Sequence, residues 1–161
     1  MGKVIVLIGR LCSGKTTYVR RLMEEEHAIP LSSDELMQTI FPEPLGDQFD
    51  KYCRRGMQYL YQLAGQLARS GAVVVLDMGM WTRENRREVR EALEGVELDW
   101  RWLRVDDDEW KRRIEERNRR IREGRGQLHE YFVDEGLLNK ANAMFQPPEE
   151  DESLNITMVH T

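Results

Sequence analysis

The stretch Gly9-Arg10-Leu11-Cys12-Ser13-Gly14-Lys15-Thr16 decides the fold. It matches the phosphate-loop pattern G-x-x-x-x-G-K-[ST]. An apolar run, Val4-Ile5-Val6-Leu7-Ile8, precedes it, and Tyr18, Val19, Leu22 and Met23 follow at helical spacing. The motif therefore has the strand, loop and helix context that nucleotide binding requires. Gly9 and Gly14 let backbone N–H groups wrap a phosphate where a Cβ would intrude. Those amides and the next helix N-terminus offer positive partial charge to a β-phosphate. Lys15 is expected to reach the β- and γ-phosphates, and the Thr16 hydroxyl to ligate Mg²⁺. A plain glycine turn would leave the Lys-Thr pair unexplained. The expected nucleotide contacts are Gly9, Leu11, Cys12, Ser13, Gly14, Lys15, Thr16 and Thr17.

A chain of 161 residues, 40% hydrophobic and 33% charged, suits one domain with a sizeable core. No apolar run approaches the roughly 20 residues of a membrane span. Only Lys3 precedes the first apolar run, so no signal-peptide pattern is read and a cytoplasmic location is expected. Two cysteines, Cys12 and Cys53, make neither a disulfide framework nor a metal site. Cys12 could carry a low-pKa thiol beside Lys15; a small loop filler is the plainer reading. The net charge of −5 argues against general nucleic-acid affinity, yet arginines crowd between Arg101 and Arg125. Such a cluster suits a polyphosphate.

Helical and strand signals alternate, which predicts an α/β fold with a parallel sheet. Strands are expected at 3–8, 28–31, 72–77, 98–105 and 154–159. Helices are expected at about 14–26, from Ser32 or Ser33 to before Pro42, at 47–69, from Thr82, at 109–122 and at 134–145. A single domain is predicted, with a lid segment at about 118–133.

Three further places can carry chemistry. Asp34 follows the second strand, where open α/β sheets bind ligands. There it can hydrogen-bond an acceptor hydroxyl and take its proton; a helix-capping role is the alternative. Asp77 ends the buried third strand in a Walker-B-like position, suited to Mg²⁺ or to orienting the acceptor. Arg113 and Arg117 share a helical face by their i, i+4 spacing and could neutralise the γ-phosphate. A solvated, salt-bridged face explains them equally well. The three histidines, His27, His129 and His160, have no motif neighbours and read as surface or structural residues.

The order of these landmarks, together with Thr82 to Arg87 and Phe145-Gln146-Pro147-Pro148, resembles the small P-loop kinases of the zeta-toxin, chloramphenicol-phosphotransferase and polynucleotide-5′-kinase-like group. The likeness runs from Lys3 to Glu152. It implies a three-layer P-loop NTPase fold with a five-stranded, mainly parallel sheet in the order 2-3-1-4-5 and helices on both faces. It implies ATP and Mg²⁺ as cofactors, Asp34 as base, and Arg113 and Arg117 as lid arginines. It also implies Arg86 or Arg87 on the substrate side and Phe145 to Pro148, with Pro147, around the adenine. Many relatives carry a polar residue such as asparagine two positions after the Asp77 equivalent, where this chain has Gly79. Met78, Met80, Trp81 and Met37 then either line a more apolar acceptor pocket or pack beneath the long helix.

The leading expectation is a kinase acting on a hydroxyl of a small molecule. A polynucleotide 5′-hydroxyl kinase and a nucleotide-binding regulatory module are the alternatives. A nucleoside triphosphate and a hydroxyl acceptor are the expected partners. No membrane partner is expected, and a nucleic acid is disfavoured without being excluded.

Overall fold

A computed structural model describes residues 1–127 and 130–161. Leu128 and His129, both within the expected lid, lie outside the described residues. The elements run β1 (Lys3–Ile8), α1 (Lys15–Glu25), β2 (Ile29–Ser32), α2 (Ser33–Ile40), α3 (Phe49–Arg69), β3 (Val73–Asp77), α4 (Arg83–Ala92), β4 (Glu97–Arg104), α5 (Asp107–Arg122), α6 (Glu135–Met144) and β5 (Ile156–His160). Short 3₁₀ turns cover Gly46–Gln48 and Glu150–Glu152. All four strand pairings are parallel, and the sheet order is β2-β3-β1-β4-β5. This is the three-layer order of P-loop proteins.

Local chemistry explains the boundaries. Ser32, not Ser33, caps α2: its hydroxyl accepts from the Glu35 N–H at 3.1 Å. Thr82 and Asn85 form a reciprocal capping box at the start of α4. Asp134 caps α6 through the Leu137 N–H at 2.7 Å. The proline of the Phe41-Pro42 step stops α2.

The central strand β1 is apolar on both faces because both are covered. On one face Val4, Val6 and Ile8 pack with Leu60, Tyr61 and Ala64 of α3 and Val89 of α4. On the other, Ile5 and Leu7 pack with Tyr18, Val19 and Leu22 of α1. A third cluster joins Leu11 to Trp110 and Ile114 of α5, to Val133 in the segment before α6, and to Ala141 of α6. Glycines allow close approach on α3: a Cβ on Gly56 would lie 3.1 Å from the Leu36 side chain.

The alternation of β4 places Asp99 and Arg101 on the α1 side. There they build a polar network. Lys3 Nζ donates to Asp99 at 3.0 Å. Arg101 donates to Asp99 at 2.7 Å, to Glu26 at 3.0 Å and to the Tyr18 hydroxyl at 2.9 Å.

Candidate active site

The carboxyl ends of β1, β2 and β3 converge on one cavity of ≈ 1090 Å³. Sheet register explains the convergence. Val6 pairs with Leu76, so three residues on Gly9 meets Gly79, and the Gly9 N–H donates to the Gly79 carbonyl at 3.1 Å. Ser32 pairs with Asp77, so Asp34 stands beside the end of β3. Ligands of open parallel sheets bind at such strand ends.

The phosphate loop supplies the floor. Gly14 caps α1 with φ 90°, a conformation that favours glycine, and Cys12 takes φ 58°. A Cβ on Gly9 would sit 2.5 Å from Ser13 Oγ. Leu11, Cys12, Ser13, Gly14, Lys15, Thr16 and Thr17 all line the cavity. Gly9 stands behind them and offers its carbonyl. Lys15 Nζ donates to the carbonyls of Gly9 and Arg10, each at 3.3 Å. Burial lowers the Lys15 pKa, while the fields of Asp77 and Asp34 oppose that shift. Burial likewise raises the Cys12 thiol, which overturns the low-pKa reading of that residue and leaves the loop filler.

Asp34 and Asp77 both line the cavity. Burial raises the Asp77 pKa; Lys15 opposes the shift, whereas Asp34 and Glu35 reinforce it. Ser32 fills the capping role, so the Asp34 side chain is not needed for it. Thr16 and Asp77 together present a hydroxyl and a carboxylate, the hard oxygen donors that suit Mg²⁺.

The α5 arginines reach the same cavity. Arg113 donates to Glu109 at 3.0 Å, to Thr161 Oγ1 at 3.0 Å and to the Thr161 carbonyl at 2.6 Å. Thr161 Oγ1 donates in turn to the Ser13 carbonyl at 2.7 Å. Arg117 lies 3.9 Å from Glu130, with its guanidinium 5.8 Å from the Tyr131 ring centroid. Arg120 donates to the same Glu130 at 2.7 Å. The arginine cluster thus divides in two. Arg112, Arg113, Arg117 and Arg120 line the cavity, while Arg119 does not and pairs with Glu116 at its rim.

Several expected positions fall elsewhere. Arg86 is not on the substrate side. It is 1% exposed and makes a two-pronged salt bridge to Glu152, with bonds of 2.7 and 3.0 Å. It also donates to the Met80 carbonyl at 2.9 Å. A guanidinium so buried needs a carboxylate, and the turn at Glu150–Glu152 supplies it. Arg87 makes surface pairs with Glu84 and Glu91. Pro147 is exposed and absent from the cavity lining, so the expected adenine surround is corrected. The Gln146 N–H donates to the Trp81 carbonyl at 2.7 Å and its side chain accepts from the Arg83 N–H. Phe145 packs on the main core. This stretch is therefore fastened to the β3–α4 loop.

The methionines split. Met37 and Met80 are core residues, whereas Met78 and Trp81 line the cavity. The Trp81 indole N–H donates to the Gly9 carbonyl at 3.0 Å, and a Cβ on Gly79 would fall inside the indole. His160 and Thr161, which no motif marks, also line the cavity.

A phosphate loop after β1, carboxylates after β2 and β3, and lid-side arginines define a small P-loop kinase-like protein. The AAA domain family model matches residues 4–148, and the chain belongs to that family. No curated protein matches it. Among solved structures, Chaetomium thermophilum Kti12 in complex with ADP-AlF3 is similar at TM-score 0.72 and 17% identity, over 98% of this chain and 88% of that one. A sugar kinase from a Janibacter species is similar at TM-score 0.64 and 18% identity, over 99% and 86%. The Mycobacterium tuberculosis APS kinase CysC, in complex with AMPPNP and APS, is similar at 0.64 and 19%, over 99% and 88%. No helix among the described residues is long and apolar enough to cross a membrane.

Proposed function

We propose that the protein is an ATP-dependent kinase that transfers the γ-phosphate to a hydroxyl group of a small molecule. The observation that carries the reading is the placement of Asp34 on the wall of the cavity that the phosphate loop floors. A carboxylate there can take the proton of an acceptor hydroxyl, a step that a purely nucleotide-binding module does not need. The sugar kinase and APS kinase among similar structures lend support through their names.

Lys15 and the loop amides would hold the β- and γ-phosphates, and the Ser13 hydroxyl, buried and unbonded among the described residues, adds a free donor to the loop. Thr16 and Asp77 would hold Mg²⁺. That ion, when bound, supplies neutralising charge to the phosphates. Asp34 accepts the hydroxyl proton of the acceptor as its oxygen bonds to the γ-phosphorus. The bond from that phosphorus to the β-phosphate oxygen breaks, and its electron pair leaves with ADP. Arg113 and Arg117 stabilise the negative charge of the transferring group.

Replacing Asp34 by Ala tests the reading. Transfer from labelled ATP should fall by about 10²- to 10⁴-fold. Calorimetric ATP affinity should stay unchanged. Undiminished transfer by the variant would rule out Asp34 as the base.

A further inference from the structure

The cavity walls differ in charge, and that difference bears on the acceptor. On the lid side every guanidinium already has a carboxylate partner. Arg112 and Arg113 share Glu109, at 2.8 and 3.0 Å. Arg117 and Arg120 share Glu130, whose side chain is 12% exposed. On the opposite wall Asp34, Glu35 and Asp77 line the cavity and form no ion pair among the described residues. The nearest ammonium, Lys15, points at the loop carbonyls and belongs to the phosphates in the reading above. Arg20 and Arg21, exposed on α1, also line the cavity; Arg21 is paired with Glu25 at 3.4 Å, which leaves Arg20 as the cation set against three carboxylates.

A second observation comes from the aromatic side. Tyr131 lines the cavity and is 42% exposed. Its ring carries the Arg117 guanidinium at 5.8 Å. The ring is thus already the seat of a cation, one supplied by the protein itself. Phosphoryl transfer draws Arg117 toward the γ-phosphate and leaves the ring face, and part of Glu130, to another positive group. A π face opposite unpaired carboxylates is the chemistry that recognises an ammonium. An acceptor bearing a carboxylate or phosphate would meet like charge on this wall and be rejected.

We infer that the acceptor is an alcohol carrying a protonated amine, such as an amino sugar or an amino alcohol. The inference rests on the kinase reading. The amine sits between Tyr131 and the carboxylate of Glu35, which leaves Asp77 to Mg²⁺ and the acceptor hydroxyl to Asp34. Transfer then proceeds with the bond changes given above, and the amine keeps its proton.

The test presents the full chain, with ATP and Mg²⁺, to matched acceptors. These are amino sugars, aminocyclitol glycosides and 2-amino alcohols, each beside its N-acetylated form, with gluconate and 3-phosphoglycerate as anionic members. Phosphorylation should concentrate on the amines and drop at least severalfold on N-acetylation. Glu35→Gln should raise KM for the best amine by up to about fivefold, the worth of one exposed ion pair, with kcat and the KM for ATP unchanged. The α2 cap uses the Glu35 backbone N–H, so this variant keeps it. Glu35→Arg should favour the anionic members. Preference for gluconate or 3-phosphoglycerate, indifference to N-acetylation, or no transfer to any amine while ATP still binds overturns the inference. Failure to bind ATP at all instead removes the kinase reading beneath it.

Discussion

Lys15 shows how a single residue ties burial to ligand binding. Burial depresses its pKa below the ordinary 10.5, because the charged amine loses water. Phosphate oxygens would restore a strong partner for the charge and raise the pKa again. ATP binding should therefore take up protons, increasingly so as pH rises toward the ordinary lysine value. Calorimetry in two buffers of different ionisation enthalpy reads the uptake directly. Equal heats in both buffers across the alkaline range would disprove it, and Lys15→Met should abolish the linkage. At this scale the sequence was most legible where spacing is local. Gly9 to Thr16 could be read in full because eight consecutive residues carry the chemistry. The Trp81 bond to Gly9 and the Thr161 bonds to Arg113 and Ser13 could not. They join positions 72, 48 and 148 apart, and no local pattern encodes them.

At the scale of elements, the join between α5 and the segment before α6 depends on one buried amide. Asn118 is 9% exposed and faces the chain returning toward α6. Its Nδ2 donates to the Val133 carbonyl at 2.7 Å, and its Oδ1 accepts from the Val133 N–H at 2.7 Å. The pair mimics a strand ladder and binds α5 to that segment. Asn118→Ala strands a buried N–H and a buried C=O. It should cost about 1–3 kcal/mol of stability in denaturant titration. Protection of the Val133 amide from hydrogen exchange should fall first. Helical spacing, continuous apolar runs, caps and prolines foretold the strands and α-helices, since all of these are local properties. The ends moved by one or two residues where caps decided them. Phe145 to Pro148 was misplaced for a different reason. A motif-like run gives no hint that its backbone will fasten to Trp81.

For the molecule as a whole, the Arg86–Glu152 bridge holds α4 to the 3₁₀ turn before β5. Burial raises the pKa of Glu152, but the hydrogen bonds from Arg86 and from the Glu149 N–H, with the fields of Arg86 and Arg83, together outweigh that and the net shift is downward. The sign follows. The stability from this pair is present above the ordinary glutamate value and is lost as pH falls through the depressed one. Arg86→Ala leaves a buried, unpaired carboxylate and should cost about 3–5 kcal/mol in thermal or urea unfolding. Below its melting point the variant should bind ATP normally, because Arg86 does not itself line the cavity. Weakened ATP binding in the folded variant would return Arg86 to the site. The global order 2-3-1-4-5 followed from the family resemblance rather than from periodicity. Alternating elements predict a parallel sheet but leave the sequence of its strands undetermined.

The indole packed over Gly79 also limits how this protein could be remade. No side chain fits at position 79 while Trp81 holds the Gly9 carbonyl. Introducing a polar hand there demands that the tryptophan be exchanged in the same stroke. Reshaping this loop therefore crosses a two-step valley, and single-site libraries at residue 79 would sample proteins in which the Trp81 indole has been displaced.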